Sequence, residues 1–256
     1  MARRRHSNRR RRRGNFGFLY KLLSVLVICG AVVTALTLFF RVDRIVVSGT
    51  VRYSADDVID ASGIHIGDNL YLLNKYDAAR NIADALPYID IEDVRIRRDL
   101  PDTLLIDVEE CRAPLAVIQN GSAWLVSSRG KIVEQLPASR AGDYGTIDGC
   151  ELLAPTVGTD IALATEYAEQ QASLLDLLAA LEEADLLDQV DSIDLSDLAQ
   201  VTMGYAGRFR VEMPYGADYE QMLLILTGAV SQLETNQRGT LRLDPDSYYQ
   251  VLFTEE

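Results

Sequence analysis

The chain has 256 residues and a net charge of −13, and the charge is split: the first 21 residues hold eight arginines and Lys21 with no acid, so the remainder carries −22. An acidic remainder of that size repels polyanions, which argues against nucleic-acid binding over most of the chain. Three cysteines without a CxxC, and His65 as the single histidine outside the tail, form no zinc, redox or triad pattern.

Residues 1–21 read as a basic tail. An arginine run directly before an apolar segment is a topology signal that holds the N-terminus in the cytoplasm. Residues 22–40, LLSVLVICGAVVTALTLFF, are uncharged between Lys21 and Arg41. Nineteen residues at a helical rise give about 28 Å, close to the ~30 Å hydrocarbon core, so one transmembrane helix is expected. Val33-Thr34-Ala35 meets the small-residue rule of a signal-peptide cleavage site. The apolar run continues past it to Phe40, which favours an uncleaved anchor with residues from about 45 outside the membrane.

Residues 43–47, DRIVV, read as a strand that turns at Ser48-Gly49. Ser54 followed by Asp57 has the form of a helix N-cap with an acid at the third helical position, and Gly63 ends that short helix. A second helix over about 75–86 places Ala79, Ile82, Ala83 and Leu86 on one face before Pro87 stops it. Residues 89–96 nearly alternate as a half-buried strand, Leu100-Pro101-Asp102 turns the chain, and 103–110 returns as its hairpin partner. Strand, helix, helix, strand, strand can bury both helices on one face of a three-stranded sheet.

The strand VDRIVVSG, the helix start at Ser54, Gly67-x-Asn69-Leu70-Tyr71, the helix ending in Leu86-Pro87 and the hairpin VRIRRDLPDTLLIDVEECRAP resemble the POTRA domain of the FtsQ/DivIB cell-division family. The run R-x-x-P-x-x-L-x-I-x-V-x-E from Arg98 to Glu110, with Arg112-Ala113-Pro114 after it, is its most specific part. Basic tail, single span and POTRA unit also follow the family order. The resemblance implies an α+β fold with a POTRA domain over 42–114 and a β-rich, mixed α/β domain with a largely antiparallel sheet over 115–256.

In that second domain 116–118 reads as a strand, and 124–126 with 131–133 as a hairpin around Ser127-Ser128-Arg129-Gly130, where Ser127 replaces the acid usual in the family. A long helix is expected over about 164–185, with Tyr167, Leu174, Leu178 and Leu181 on one face. Strands follow at 189–195, 199–204 and 208–213, a helix over 217–233, a strand at 240–243 and a last strand at 248–253.

No cofactor or metal site is expected. His65 lacks a second ligand, and Glu182, Glu183 and Asp185 fall on what reads as a solvated helix face. Cys111 and Cys150 either pair or stay free. A scaffold fits better than an enzyme, because exposed sheet edges leave N–H and C=O groups to which a partner strand can add. The last strand carries Tyr248, Tyr249, Val251 and Phe253, side chains typical of interface anchors or of a core. By resemblance, the partners are FtsB/DivIC-like and FtsL-like bitopic division proteins. Their contact falls on 248–253 and the helix over 218–233, and the output is control of septal peptidoglycan synthesis. The rival readings are a POTRA-bearing polypeptide-binding chaperone or transport component, and an extracytoplasmic cell-wall enzyme.

Overall fold

The computed structural model describes residues 16–244 and 251–255. Helix α1, Phe16–Phe39, begins six residues before the expected start, because Phe18, Leu19 and Tyr20 extend the apolar run through Lys21 without a helix breaker. Within it, Gly17–Thr37 is long and apolar enough to cross a membrane.

The chain then builds β1 Arg44–Ser48, α2 Ala55–Ser62, α3 Lys75–Ala85, β2 Ile89–Asp99 and β3 Thr103–Glu110. These three strands form a sheet in the order β1-β3-β2, with β1 parallel and β2 antiparallel to β3. The local chemistry accounts for each boundary. Ser54 and Asp57 close a reciprocal capping box at the start of α2, and Gly63 ends it with φ at 68°. The Asn74 side chain accepts from the amides of Tyr76 and Asp77 at the start of α3. Val58 of α2 and Ile82 of α3 pack on Leu104 and Ile106 of β3, all fully buried, with Leu70 from the intervening loop. The Leu100–Pro101 peptide in the β2–β3 turn is cis.

The second unit is a nine-stranded sheet in the order β12-β11-β10-β9-β8-β7-β4-β5-β6. Its strands are β4 Leu115–Gln119, β5 Ser122–Val126, β6 Ile132–Pro137, β7 Thr146–Asp148, β8 Val190–Asp194, β9 Gln200–Tyr205, β10 Phe209–Pro214, β11 Gly239–Leu243 and β12 Val251–Glu255. Five neighbouring pairs are antiparallel. The pairs β4–β7, β7–β8 and β10–β11 are parallel. Strand β7 had no counterpart in the sequence reading. It is three residues long and takes its place from β4 and β8 on either side.

Helices α4, Ala168–Glu183, and α5, Tyr219–Val230, lie together on one face of this sheet. Their buried Leu174, Leu178, Leu181, Met222 and Leu226 meet Val201, Met203, Val211 and Leu241 from the strands. Helix α4 starts four residues later than expected, since a 3-10 turn, Thr165–Tyr167, precedes it. At the β4–β6 end the opposite face is closed by the POTRA unit. Tyr88 enters a cluster with Ala116, Ala123, Leu125, Val133 and Leu136.

Candidate docking edge and the charged interdomain cleft

An open sheet ends in two strands whose outer backbone groups need partners. At one end the start of β6 is covered by its own chain. The Ile132 amide donates to the Thr159 carbonyl at 2.8 Å, and the Gly158 amide donates to the Ile132 carbonyl at 2.7 Å. At the other end β12 pairs with β11 from Val251–Leu243 to Glu255–Gly239, and among the described residues no strand lies outside it. In an antiparallel pair every second residue of the outer strand directs its N–H and C=O away from the neighbour, so β12 presents a row of free main-chain groups.

Of the four residues singled out by sequence, Tyr248 and Tyr249 lie outside the described residues. Val251 and Phe253 are half-buried and pack against the sheet–helix core. The Phe253 ring stands edge-on to Phe209 at 6.3 Å between centroids. On the opposite face of β12, Leu252 is 59% exposed. The period of two separates these faces in the sequence, but only the partner strand and α5 decide which one is inside. The described part of the last strand is Val251–Glu255, and residues 248–250 of the expected strand lie outside the described residues.

Helix α5 packs against β11 and β12. Asp218 caps it by accepting from the Gln221 amide. Its outer side carries Leu224, 74% exposed, beside a groove of about 310 Å³ that Glu183, Leu186 and Glu220 also line. That groove lies between α4 and α5, so the apolar side chain exposed on the edge strand itself is Leu252.

A second concavity, of about 360 Å³, lies between the two units and is rich in charge. From the β5–β6 turn, Arg129 reaches Glu92, Asp93 at 2.7 Å and Glu182 at 3.8 Å. Lys131 is 8% exposed. Its Nζ donates to the carbonyls of Ala83 at 2.8 Å and Ile89 at 3.0 Å and lies 3.6 Å from Asp90. Glu182, expected on a solvated face, turns into this cleft and also accepts from the Ser128 hydroxyl at 2.7 Å. The sequence reading missed Arg129, Lys131 and Glu182 as a set, since their partners lie 36 to 54 residues away.

Burial pushes Asp93 up to about 6 against the pull of Arg129, and raises Asp90 against the pull of Lys131. Buried carboxylates of this kind can mark catalysis. Here each is engaged by a cation that bridges two domains, which is a structural use. Cys111 at the cleft is pushed up to about 12 by burial, the opposite of an activated thiol. Cys111 and Cys150 are free. Among the described residues no group of His, Cys, Asp or Glu side chains is arranged to hold a metal ion.

Residues 40–110 match the model of the POTRA domain, FtsQ-type. The chain is similar to the cell division protein FtsQ of Corynebacterium glutamicum, 28% identical over 64% of this chain and 72% of that protein. It is also similar to the cell division protein FtsQ of Geobacter sp. (strain M21), 26% identical over 82% of this chain and 74% of the relative. A third relative is the cell division protein DivIB of Clostridium botulinum, 28% identical over 51% of this chain and 50% of the relative, so that match spans half of its length.

Proposed function

We propose, from the membership of this chain in the FtsQ/DivIB cell-division family, that it is a non-enzymatic scaffold of the division machinery whose β12 edge receives a strand from a membrane-anchored partner. The observation that carries this reading is the free main-chain row of β12, which also exposes Leu252. The partners are FtsB/DivIC-like and FtsL-like bitopic proteins, and their capture helps control septal peptidoglycan synthesis. The basic tail holds the N-terminus in the cytoplasm and places both folded units outside.

Strand addition gives affinity through N–H···O=C bonds that no side-chain deletion removes, so the test must attack the backbone. Replacing 251–255 by a charged, proline-containing stretch should lower the thermal transition, since Val251 and Phe253 leave the core, and should abolish co-purification of the FtsB/DivIC-like partner with the full-length chain at a temperature where far-UV circular dichroism shows the variant still folded. Undiminished capture by a folded variant refutes the docking edge.

A further inference from the structure

The POTRA unit follows α1 without a linker and is tied directly to its end. Helix ends leave their last carbonyls unsatisfied, and near a bilayer few waters are at hand to repair this. Here the 64–73 loop supplies the donors. The Asn69 side-chain amide donates to the carbonyls of Leu36 at 3.2 Å and Thr37 at 3.4 Å. The Leu70 amide donates to the Phe40 carbonyl at 2.9 Å, and Arg41 pairs with Asn69 as a bridge. Phe40 and Tyr71 stack edge-on at 5.0 Å.

This anchoring sets where the loop sits. Gly17–Thr37 has 21 residues, about 31 Å of helix, so the segment fills the ~30 Å hydrocarbon core and Thr37 marks its boundary. The Asn69 Oδ1 that faces away from the span accepts from the amides of Tyr71 at 2.9 Å and Leu72 at 3.3 Å. Two hydrogen bonds and one amide group thus separate Leu72 from the Leu36 carbonyl, a reach of less than about 9 Å. That upper bound is comparable with the headgroup layer, roughly 5–8 Å on each side. Leu72 is 78% exposed, Ile66 63% and Tyr71 47%. Arg98 lies over the Tyr71 ring and donates to the Leu70 carbonyl, and Lys75 stands beside it.

We propose that the 64–73 loop is a membrane-seated collar, with Leu72, Ile66 and Tyr71 inserted at the headgroup–acyl boundary and Arg98 and Lys75 facing lipid phosphates. Apolar side chains held at that depth exchange water for acyl chain, and aromatic rings favour the same layer. The arrangement follows from the hydrogen bonds to Leu36 and Thr37 whichever side of the membrane the domain occupies. It rests on α1 spanning the bilayer and on nothing about division.

Trp124 is the single tryptophan. A Trp124→Phe background therefore allows one indole at a time to be placed in the full chain, reconstituted at low protein-to-lipid ratio in vesicles of zwitterionic and anionic phospholipid. Leu72→Trp and, separately, Ile66→Trp should give blue-shifted emission and stronger quenching by lipids brominated near the carbonyl end of the acyl chain than by lipids brominated near its methyl end. Val51→Trp, past the far end of β1 and 89% exposed, should remain unquenched. If both loop indoles behave like that of Val51→Trp while Leu26→Trp within α1 is quenched, the collar is refuted and the span stands. If Leu26→Trp is unquenched too, the span itself fails and the collar with it. Loop indoles shielded from aqueous iodide only at high protein density would assign the surface to a second copy and overturn the proposal.

Discussion

Glu110 ends β3 and is 7% exposed, yet among the described residues its carboxylate pairs with no cation. It accepts three main-chain amides instead: Val51 at 3.1 Å and Tyr53 at 3.2 Å on one oxygen, and Arg52 at 2.7 Å on the other. Those amides belong to the turn between β1 and α2, so one side chain fixes the entry of α2 to the end of β3. Glu110→Ala removes three charge-assisted bonds. Val51 and Arg52 are exposed, so water recovers part of the loss, which leaves about 3 kcal/mol rather than the full ~1.5–3 per bond. Glu110→Gln can keep the doubly accepting oxygen, but it places an NH2 donor against the Arg52 amide, for a loss of about 1–1.5 kcal/mol. Urea unfolding of the full chain in detergent, read by circular dichroism, should give midpoints in the order parent, Gln, Ala at unchanged slope. Hydrogen exchange at 51–53 should quicken in the same order. A loss below about 0.5 kcal/mol for Glu110→Ala, or equal losses for both variants, would show that the turn is held by other contacts.

Two further outcomes test the joint between the units. Lys131→Met leaves Asp90 without its cation and two carbonyls without a donor, a loss of about 3 kcal/mol. The double variant Lys131→Met/Asp90→Asn should recover more than about 1 kcal/mol of that, and strict additivity in the cycle would sink the pairing. Asp93 sits at about 6 in the folded chain because burial raises it. The folded state therefore holds the extra proton between about pH 4 and about pH 6, and the stability this group contributes is complete below about pH 4 and lost as pH rises through about 6. Thermal unfolding of Asp93→Asn should fall less than that of the parent between about pH 5 and about pH 7.5, and a steeper fall would reverse the assigned sign.

The POTRA unit was legible because its boundaries are written in local chemistry. Ser54 with Asp57, Gly63 and Pro87 each act within four residues of where they stand. The run from Arg98 to Glu110 gains its physical meaning only in the fold. Arg98 donates to the Leu70 carbonyl, Leu104, Ile106 and Val108 form the buried face of β3, and Glu110 holds the 51–53 turn. What stayed hidden depends on distant neighbours. Strand β7 is too short to show a period, and the parallel strands that define it lie about 30 and 45 residues away. The inward turn of Val251 and Phe253 depends on Phe209 and α5. Lys131 and Arg129 read as hairpin residues until 83–93 is packed beside them.

From the span to the open edge each junction is tied rather than hinged. Asn69 and Leu70 bind the end of α1, Glu110 binds α2 to β3, and Arg129 and Lys131 bind β2 and α4 to the β5–β6 turn. The POTRA unit contacts the β4–β6 end of the nine-stranded sheet, while β12 is at the other. Eight strand spacings put these edges about 38 Å apart along the sheet. A docking edge carried on a flexible tether would sample a large volume and meet a partner anchored in the same bilayer at low effective concentration. A stiff path confines it to one radius from the span, so a partner with a stem of matching length meets it repeatedly in one orientation. Under the docking proposed at β12, the buried charges at the joint would serve that edge without touching it, because they convert a membrane anchor into a fixed position for β12.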